Sequence, residues 1–472
     1  MTESLSNRWL AFTVLCLGTL MEVLDTTIVN VALPSIRTDL HFSEASLAWV
    51  INAYLLTFGG FLLLGGRLGD IFGQKKLFLI GITLFTTASL VCGLAHSQQL
   101  LILSRAVQGL GGAITAAVSL SLIMNLFTKP EERTKAMGYF GFIAAGGGSI
   151  GVLLGGFLTN SFDWHWNFLV NVPIGITVII LSLKLLPNTR ADVVHRHLDV
   201  AGAITVTSSL LIAVYAIVNG NQAGWISTQT LVLLTIAVVL MGAFLWIESR
   251  VRAPLMPLNL FKLHNLATAN VIGILWAASM FAWFFLSALY LQLVLHYSPL
   301  QVGLAFLPAN LIMAAFSLGL SAKLVIRFGI KVPLSLGLLM AAVGLLLFVR
   351  APVNGNFLTD VLPSMVLLGL GAGMAFNPVL LAAMNDVKPQ ESGLASGLAN
   401  TSFMMGGALG LAILASLAAF TTQGLLLNGT SQIEALNSGY HSAFLVGAIF
   451  AALAAILGAK LLRVSAASAP QH

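Results

Sequence analysis

Charge is what this chain lacks. Only 8% of its 472 residues are Asp, Glu, Lys or Arg, against about 25% in soluble globular proteins. With 58% apolar residues and a mean hydropathy of +0.95, that scarcity excludes an ordinary soluble domain. Cysteine is nearly absent: Cys16 and Cys92 both sit in apolar runs, which rules out a disulfide framework and reads as two buried small hydrophobes. There is no GxxxxGK[ST] loop for a nucleotide, no HExxH, and no serine nucleophile elbow. The histidines fall at or beyond the ends of the apolar runs, and the pair His195 and His197 reads as solvated loop rather than a metal site. A formal charge of +6 does not point to nucleic acid, because the basic residues are scattered through short loops instead of forming a patch.

Long hydrophobic runs are what is there. Fourteen are long enough to cross a hydrocarbon core of roughly 30 Å, near 9–34, 45–65, 77–95, 99–126, 136–160, 167–187, 201–219, 228–247, 267–292, 301–322, 333–350, 361–384, 394–420 and 442–463. The leading MTESLSNRW is too short and polar for a cleaved signal, and the run after it is too long for a signal core, so the first run is expected to remain as a helix. Of the 22 Lys and Arg residues, all but Arg37, Arg105 and Arg350 fall at the termini or in alternate loops. Those loops include Arg67, Lys75 and Lys76, then Lys129 to Lys135, Arg190 and Arg196, and Lys388. Positive charge stays inside, so this split predicts an all-α, multi-pass protein of the inner membrane with both termini cytoplasmic. Trp9, Trp164, Trp166, Trp225 and Trp246 fall at expected span ends, where amphipathic rings anchor. The stretch 421–441 carries no strong pattern and is read as an exposed connector.

The chain repeats itself. KPEERTKAMG (129–138) returns as KPQESGLASG (388–397), QGLGGAI (108–114) as LGLGAGM (368–374), and RLGDIFGQK (67–75) as KLVIRFGIK (323–331). The first offset also carries Gly147, Gly148 and Gly151 onto Gly406, Gly407 and Gly410. Matching loops fall on the same side, which argues for two parallel six-helix halves. The runs at 201–219 and 228–247 have no partner and read as an inserted pair. The expected division is an N-terminal bundle at 1–189, the two-helix insert with its linkers at 190–262, and a C-terminal bundle at 263–472.

Acidic residues are rare enough that their positions carry meaning. Of 16 Asp and Glu, Glu22 and Asp25 alone fall well inside a run, three residues apart and so on one helix face. An ionisable group at that depth is costly and marks a functional site by default. Counting 1.5 Å per residue from the nearest run ends, Asp25 lies roughly 13 Å deep, Glu22 roughly 18 Å and Arg105 roughly 10 Å. Arg105 is therefore the natural counter-ion for Asp25, since a buried charge needs a partner. Without a nucleotide site, a transporter draws on an ion gradient, and a buried carboxylate is the simplest coupling device.

Three further patterns stand out. GGRLGDIFGQKK (65–76) holds Gly66, Arg67, Gly69, Asp70, Gly73 and Lys75. Topology explains its basic residues but not Asp70, the spaced glycines or the echo in the second half. AAGGGSIGVLLGGFLTN (144–160) places Gly147, Gly151 and Gly155 at four-residue spacing, with Gly156 beside them; close helix packing alone accounts for that face. The third is LDTTIVNVALP (24–34), accompanied by AYLL (53–56), WHWNFLVNVPIG (164–175) and YLQLVLHYSPLQVGLAFLP (290–308).

Together these resemble the major facilitator superfamily, and across nearly the whole chain its fourteen-helix EmrB/QacA-type drug:proton antiporters. The resemblance implies two six-helix bundles around a central cavity plus two inserted helices. It implies proton or cation coupling through Asp25, with Arg105 taking part; Glu22, where many relatives tolerate a neutral residue, is read from its place on the same face as a second acid that tunes proton uptake or cation choice. It implies a conformational switch at Gly66, Arg67, Asp70, Gly73 and Lys75. It also implies an antiporter-like glycine motif at Gly147, Gly151, Gly155 and Gly156, although the usual Gly-Pro reads Gly151-Val152 here. The expected function is proton-coupled export of amphipathic or cationic drug-like compounds. Export of a lipid or metabolite, and uptake symport, remain the alternatives, and a membrane enzyme is disfavoured because the loops are short and poor in catalytic groups clustered near one membrane face. No cofactor is called for beyond the proton gradient; the expected partners are small-molecule substrate, protons and the lipid bilayer. A periplasmic adaptor is neither required nor excluded by these motifs. Polar candidates for the cavity are Asn52, Tyr54, Gln108, Gln292, Asn310, Asn377 and Asn400, each of which serves equally well as interhelical glue worth around 1 kcal/mol.

Overall fold

A computed structural model describes residues 5–127, 129–187, 199–251, 254–387 and 392–463. The described residues form helices and no strand. In chain order these are α1 (Leu5–Leu40), α2 (Glu44–Leu47), α3 (Trp49–Phe72), α4 (Gln74–Cys92), α5 (Gln98–Leu126), α6 (Pro130–Ser161), α7 (Trp166–Leu169), α8 (Asn171–Leu185), α9 (Val200–Ala223) and α10 (Thr228–Arg250). The second part of the chain gives α11 (His264–Leu289), α12 (Pro299–Ala315), α13 (Ser321–Phe328), α14 (Lys331–Phe348), α15 (Leu362–Met384), α16 (Ser392–Leu427) and α17 (Gln432–Leu461). Among the described residues, 12 helical stretches are long and apolar enough to cross a membrane. Two shorter apolar stretches, Ile150–Ser161 at the end of α6 and Pro299–Ala315, fall below that length. The expected count of fourteen is not confirmed among the described residues, although α6 as a whole runs for 32 residues.

Local chemistry sets the ends of these helices. Ser97, Ser227, Ser298 and Ser431 each cap the following helix by accepting a bond from a backbone N–H three residues on. At Ser298 the cap is reciprocal: Gln301 reaches back to the Ser298 N–H, and Pro299 occupies the first helical position. The Ser431 cap also corrects the reading of 421–441 as a connector. Helix α16 continues to Leu427 and α17 starts at Gln432, so the turn is only a few residues long. That stretch is polar enough to look like loop, yet Ser431 with Glu434 is an N-terminal signal. Likewise, the pattern GGRLGDIFGQKK is mostly helix rather than loop. Helix α3 runs through to Phe72, and the break is Gly73 alone, at φ +91°, a region that only glycine enters cheaply.

The internal repeat is visible in the packing. Gly329, the counterpart of Gly73, also has positive φ, at +73°. A Cβ on Gly111 would lie 2.9 Å from the Gly81 carbonyl oxygen on α4; one on Gly371 would lie 2.7 Å from the Gly337 carbonyl oxygen on α14. A Cβ on Gly151 would meet Leu24 and Thr27 of α1, and one on Gly410 would meet Ala278 of α11. Corresponding glycines therefore let corresponding helices touch backbone to backbone in both parts of the chain.

Of the two helices read as an insert, α9 packs on α3 and α16, and α10 packs against α9. A Cβ on Gly60 would strike Thr207, Asn221 Nδ2 donates to the Ser416 carbonyl at 2.7 Å, and Ser416 Oγ donates to the Ile217 carbonyl at 3.0 Å. At the base of the pair Asp199 caps α9 through Gly202 N–H (2.7 Å), and Glu248 accepts from Met256 N–H (3.0 Å). Both acids are buried, so they join Glu22 and Asp25 as acids withdrawn from solvent. In the sequence Glu248 falls just beyond the apolar run at 228–247, where an acid carries no signal of burial. The segments with Arg190, Arg196, His195, His197, Arg252 and Lys388, and with them the expected 189/190 boundary, lie outside the described residues.

Candidate functional site

Asp25 sits in the middle of α1 with no exposure to solvent, and Arg105 of α5 is 1% exposed. Arg105 Nη1 donates to Asp25 Oδ2 at 2.5 Å. The same nitrogen reaches Gln108 Oε1 at 2.6 Å, and Arg105 Nε donates to the Val50 carbonyl at 2.9 Å. Gln108 lies one turn along α5 from Arg105, so both project to the same face. Its Nε2 donates to Asp25 Oδ1 at 2.7 Å. Asn171, at the start of α8, donates to the same oxygen at 3.0 Å. Ser89 of α4 accepts from Gln108 (3.0 Å) and Asn171 (3.1 Å) and donates to the Phe168 carbonyl at 3.1 Å. Asp25 thus receives three donors from three side chains, the condition under which a buried charge is tolerable.

Aromatic faces complete the setting. The Arg105 guanidinium carbon lies 4.5 Å from the Tyr54 ring centre and 5.7 Å from that of Phe168, so quadrupoles add to the stabilisation of the cation. The pair with its surrounding amides is charge-compensated and closed to water. Glu22 is different. It is 6% exposed, and its Oε1 has no hydrogen-bond partner. The Tyr54 hydroxyl is also unpartnered, and that ring lies within electrostatic reach of both Glu22 and Asp25. An acid with an unmet oxygen, next to a fully met one, is the arrangement that accepts a proton or a cation most readily.

Two members of this network, Ser89 and Asn171, were missed by sequence reading. Asn171 was legible in principle, as a side-chain amide inside the apolar run after Trp164 and Trp166. Ser89 carried no signal, because a lone serine within a transmembrane run most often bonds its own helix.

The glycine face of α6 is the wall behind Asp25. Cβ atoms on Gly147, Gly151 and Gly155 would meet Val23, Thr27 and Ile28 of α1, the last at 2.6 Å from a backbone oxygen. Gly156 points elsewhere, its Cβ position lying 2.7 Å from the Pro299 carbonyl oxygen on α12. This motif joins the acid-bearing helix on one side and the second half of the chain on the other. Two hydrogen bonds also cross between the halves: Gln292 Nε2 to the Val31 carbonyl at 2.8 Å and Tyr440 OH to Glu44 Oε1 at 3.3 Å.

The switch candidates are less concentrated. Lys75 Nζ donates to the Leu183 carbonyl (3.0 Å) and the Leu186 carbonyl (2.7 Å), closing the C-terminal end of α8 within the first half. Arg67 is half-buried, and the side chain of Asp70 lies outside the described residues. A Cβ on Gly66 would meet nothing within 4 Å. Gly66→Ala is therefore expected to leave the melting temperature unchanged or slightly raised, since Ala favours helix over Gly by about 1 kcal/mol. If Gly66 serves a second conformation, transport nonetheless falls several-fold. Unchanged transport in proteoliposomes would remove Gly66 from the switch.

The cavity candidates are not gathered into one place. Asn52 is wholly buried with both amide atoms unpartnered, and Asn310 keeps an unpartnered Nδ2. Gln108 belongs to the Asp25 network and Gln292 to the contact between halves. Asn377 is half-buried. Asn400 donates to Ser396 on its own helix and borders a crevice of about 20 Å³ with Trp276, Phe376 and Phe403.

Comparison with known proteins places this architecture. The family model described as Major Facilitator Superfamily matches residues 15–411, and the chain belongs to that superfamily of membrane transporters. It is 37% identical over 466 residues to the puromycin resistance protein pur8 of Streptomyces alboniger, covering 97% of this chain and 92% of that one. It is 36% identical over 472 residues to the cephamycin export protein CmcT of Amycolatopsis lactamdurans, covering 99% and 96%. Among solved structures, the POT family transporter PepTSo aligns with a TM-score of 0.69 at 16% identity, covering 96% of this chain and 97% of that one. That likeness concerns the fold alone.

Proposed function

We propose that this protein is a proton-coupled exporter of amphipathic or cationic drug-like compounds, built as a fourteen-helix drug:proton antiporter. In this reading α6 and α12 are the two further spans, with both termini in the cytoplasm and the chain in the inner membrane. The observation that carries it is the buried Asp25–Arg105 pair with an unpaired Glu22 one turn away on the same helix. Protonation of Asp25 removes the charge that holds Arg105, Gln108 and Asn171 together, so a proton arriving there favours a different packing of α1 against α5 and α8. Glu22 is then the acid that meets a cationic substrate or a second proton. The names of relatives support export: besides pur8 and CmcT they include a multidrug resistance protein of Mycobacterium tuberculosis and a lincomycin resistance protein of Streptomyces lincolnensis.

The test is transport of a lipophilic cation into everted vesicles energised by an inwardly acidic gradient. Accumulation should collapse on adding an uncoupler, and accumulation that persists would sink the coupling. Glu22→Gln is expected to fold normally, because it replaces one unmet carboxylate oxygen with a neutral amide. It should lower transport of cations at least about tenfold while sparing neutral compounds, the loss expected when a charge-assisted contact of about 1.5–3 kcal/mol is removed.

A further inference from the structure

A groove of about 730 Å³ runs along the outer surface of the first half between α4 and α8. No part of the Asp25 site opens into it. Its borders are Lys75 and Lys76 at one end, then Ile80, Thr83 and Thr87 along α4, with Leu183 of α8 opposite. We propose that this groove is a binding site for one anionic phospholipid of the leaflet facing the chain termini.

The dimensions fit. Lys76, Ile80, Thr83 and Thr87 follow helical spacing and share a face of α4. From Lys76 to Thr87 the helix rises roughly 16 Å, about half of a hydrocarbon core of roughly 30 Å. The groove therefore begins at headgroup level and ends near the bilayer midplane, the length of one leaflet. Its walls come from two helices that qualify as membrane spans, and Ile80 and Leu183 are 46% and 58% exposed, a surface suited to acyl chains. Thr83 and Thr87 are smaller than Leu79 and Leu84, which line the groove with them.

The charge fits as well. Lys75 spends two of its three N–H donors on the Leu183 and Leu186 carbonyls, leaving one free. Lys76 is exposed, and no ion pair engages it among the described residues. Two adjacent ammonium groups at the mouth of an apolar trough complement a phosphate with chains below it. A headgroup bound by Lys75 and Lys76 sits two residues beyond Gly73 in the chain, at the start of α4 and next to the segment read above as the switch.

The experiment measures binding of phosphatidylglycerol to the purified full-length protein by lipid-dependent thermal shift and native mass spectrometry, with phosphatidylcholine and inorganic phosphate as the other arms. Phosphatidylglycerol should stabilise the wild type, and neither of the others should. Lys76→Gln is expected to weaken phosphatidylglycerol binding about fivefold, the contribution of one basic residue near a charged surface. Thr87→Trp should weaken it by filling the acyl end without touching a charge. Lys323→Gln, a basic residue of the second half far from the groove in sequence, should bind as the wild type does. Equal binding of phosphatidylcholine, competition by inorganic phosphate, or wild-type affinity in both groove variants would each overturn the proposal.

Discussion

Asp25→Asn is expected to abolish coupled transport and to lower thermal stability at the same time. Asp25 offers its two oxygens to three donors, from Arg105, Gln108 and Asn171. An asparagine has one oxygen, and its NH₂ would face a donor wherever the oxygen is placed. Arg105 would then be left 1% exposed without its counter-ion, and breaking a buried pair in this way costs about 3–5 kcal/mol. Removing the charge on both sides should recover part of that loss. Asp25→Asn combined with Arg105→Gln is expected to unfold at a higher temperature than Asp25→Asn alone, with a coupling energy of about 1–3 kcal/mol. Transport should stay absent in the double variant, because the proton-accepting group is gone. The measurements are thermal unfolding in detergent and proton-driven uptake by everted vesicles. A single variant as stable and active as the wild type would overturn the assignment of Asp25.

Gly155→Val is the second substitution of large effect. A Cβ at Gly155 would stand 2.6 Å from the Ile28 carbonyl oxygen and 3.1 Å from its Cα, and neither backbone atom can rotate away. Helices α1 and α6 must separate, at an overpacking cost of about 1–3 kcal/mol or more. Ile28 is one helical turn from Asp25, so the displacement reaches the ion pair, and transport should fall more steeply than stability. Gly148→Ala, on the same helix, supplies the control: its Cβ would meet only the Thr27 methyl, at 3.7 Å, and it should behave as the wild type. Equal behaviour of the two variants, in melting temperature and in transport, would show that the glycine face does not set the α1–α6 approach.

Composition and periodicity alone made the chain legible as a membrane protein. A helix must satisfy its own backbone in a bilayer, so runs of apolar residues translate almost directly into helices, and errors arose mainly at their ends. Helix α3 runs on into the Gly73 turn, and α16 and α17 consume most of the stretch read as a connector. In both places polar residues sit on helix, because a span that leaves the hydrocarbon core has no reason to unwind at once. The recurrence of short motifs was equally legible, and the paired contacts of Gly111 with Gly81 and of Gly371 with Gly337 are its physical expression.

What the sequence by itself determined is a short set of costly choices. It put two acids on one face of α1, an arginine inside α5, and glycines every fourth residue along α6, each hard to explain in a bilayer without a partner or a close neighbour. The tertiary structure alone decided which acid is compensated. Ser89 and Asn171 come from α4 and α8, and they complete the shell of Asp25 while leaving Glu22 Oε1 unmet. Distances of that kind depend on how four helices cross, and one-dimensional spacing fixes only which side chains share a face. The same holds for the acids at the base of the insert: Glu248 looks like an interfacial residue until the segment after α10 folds back and Met256 N–H closes on it.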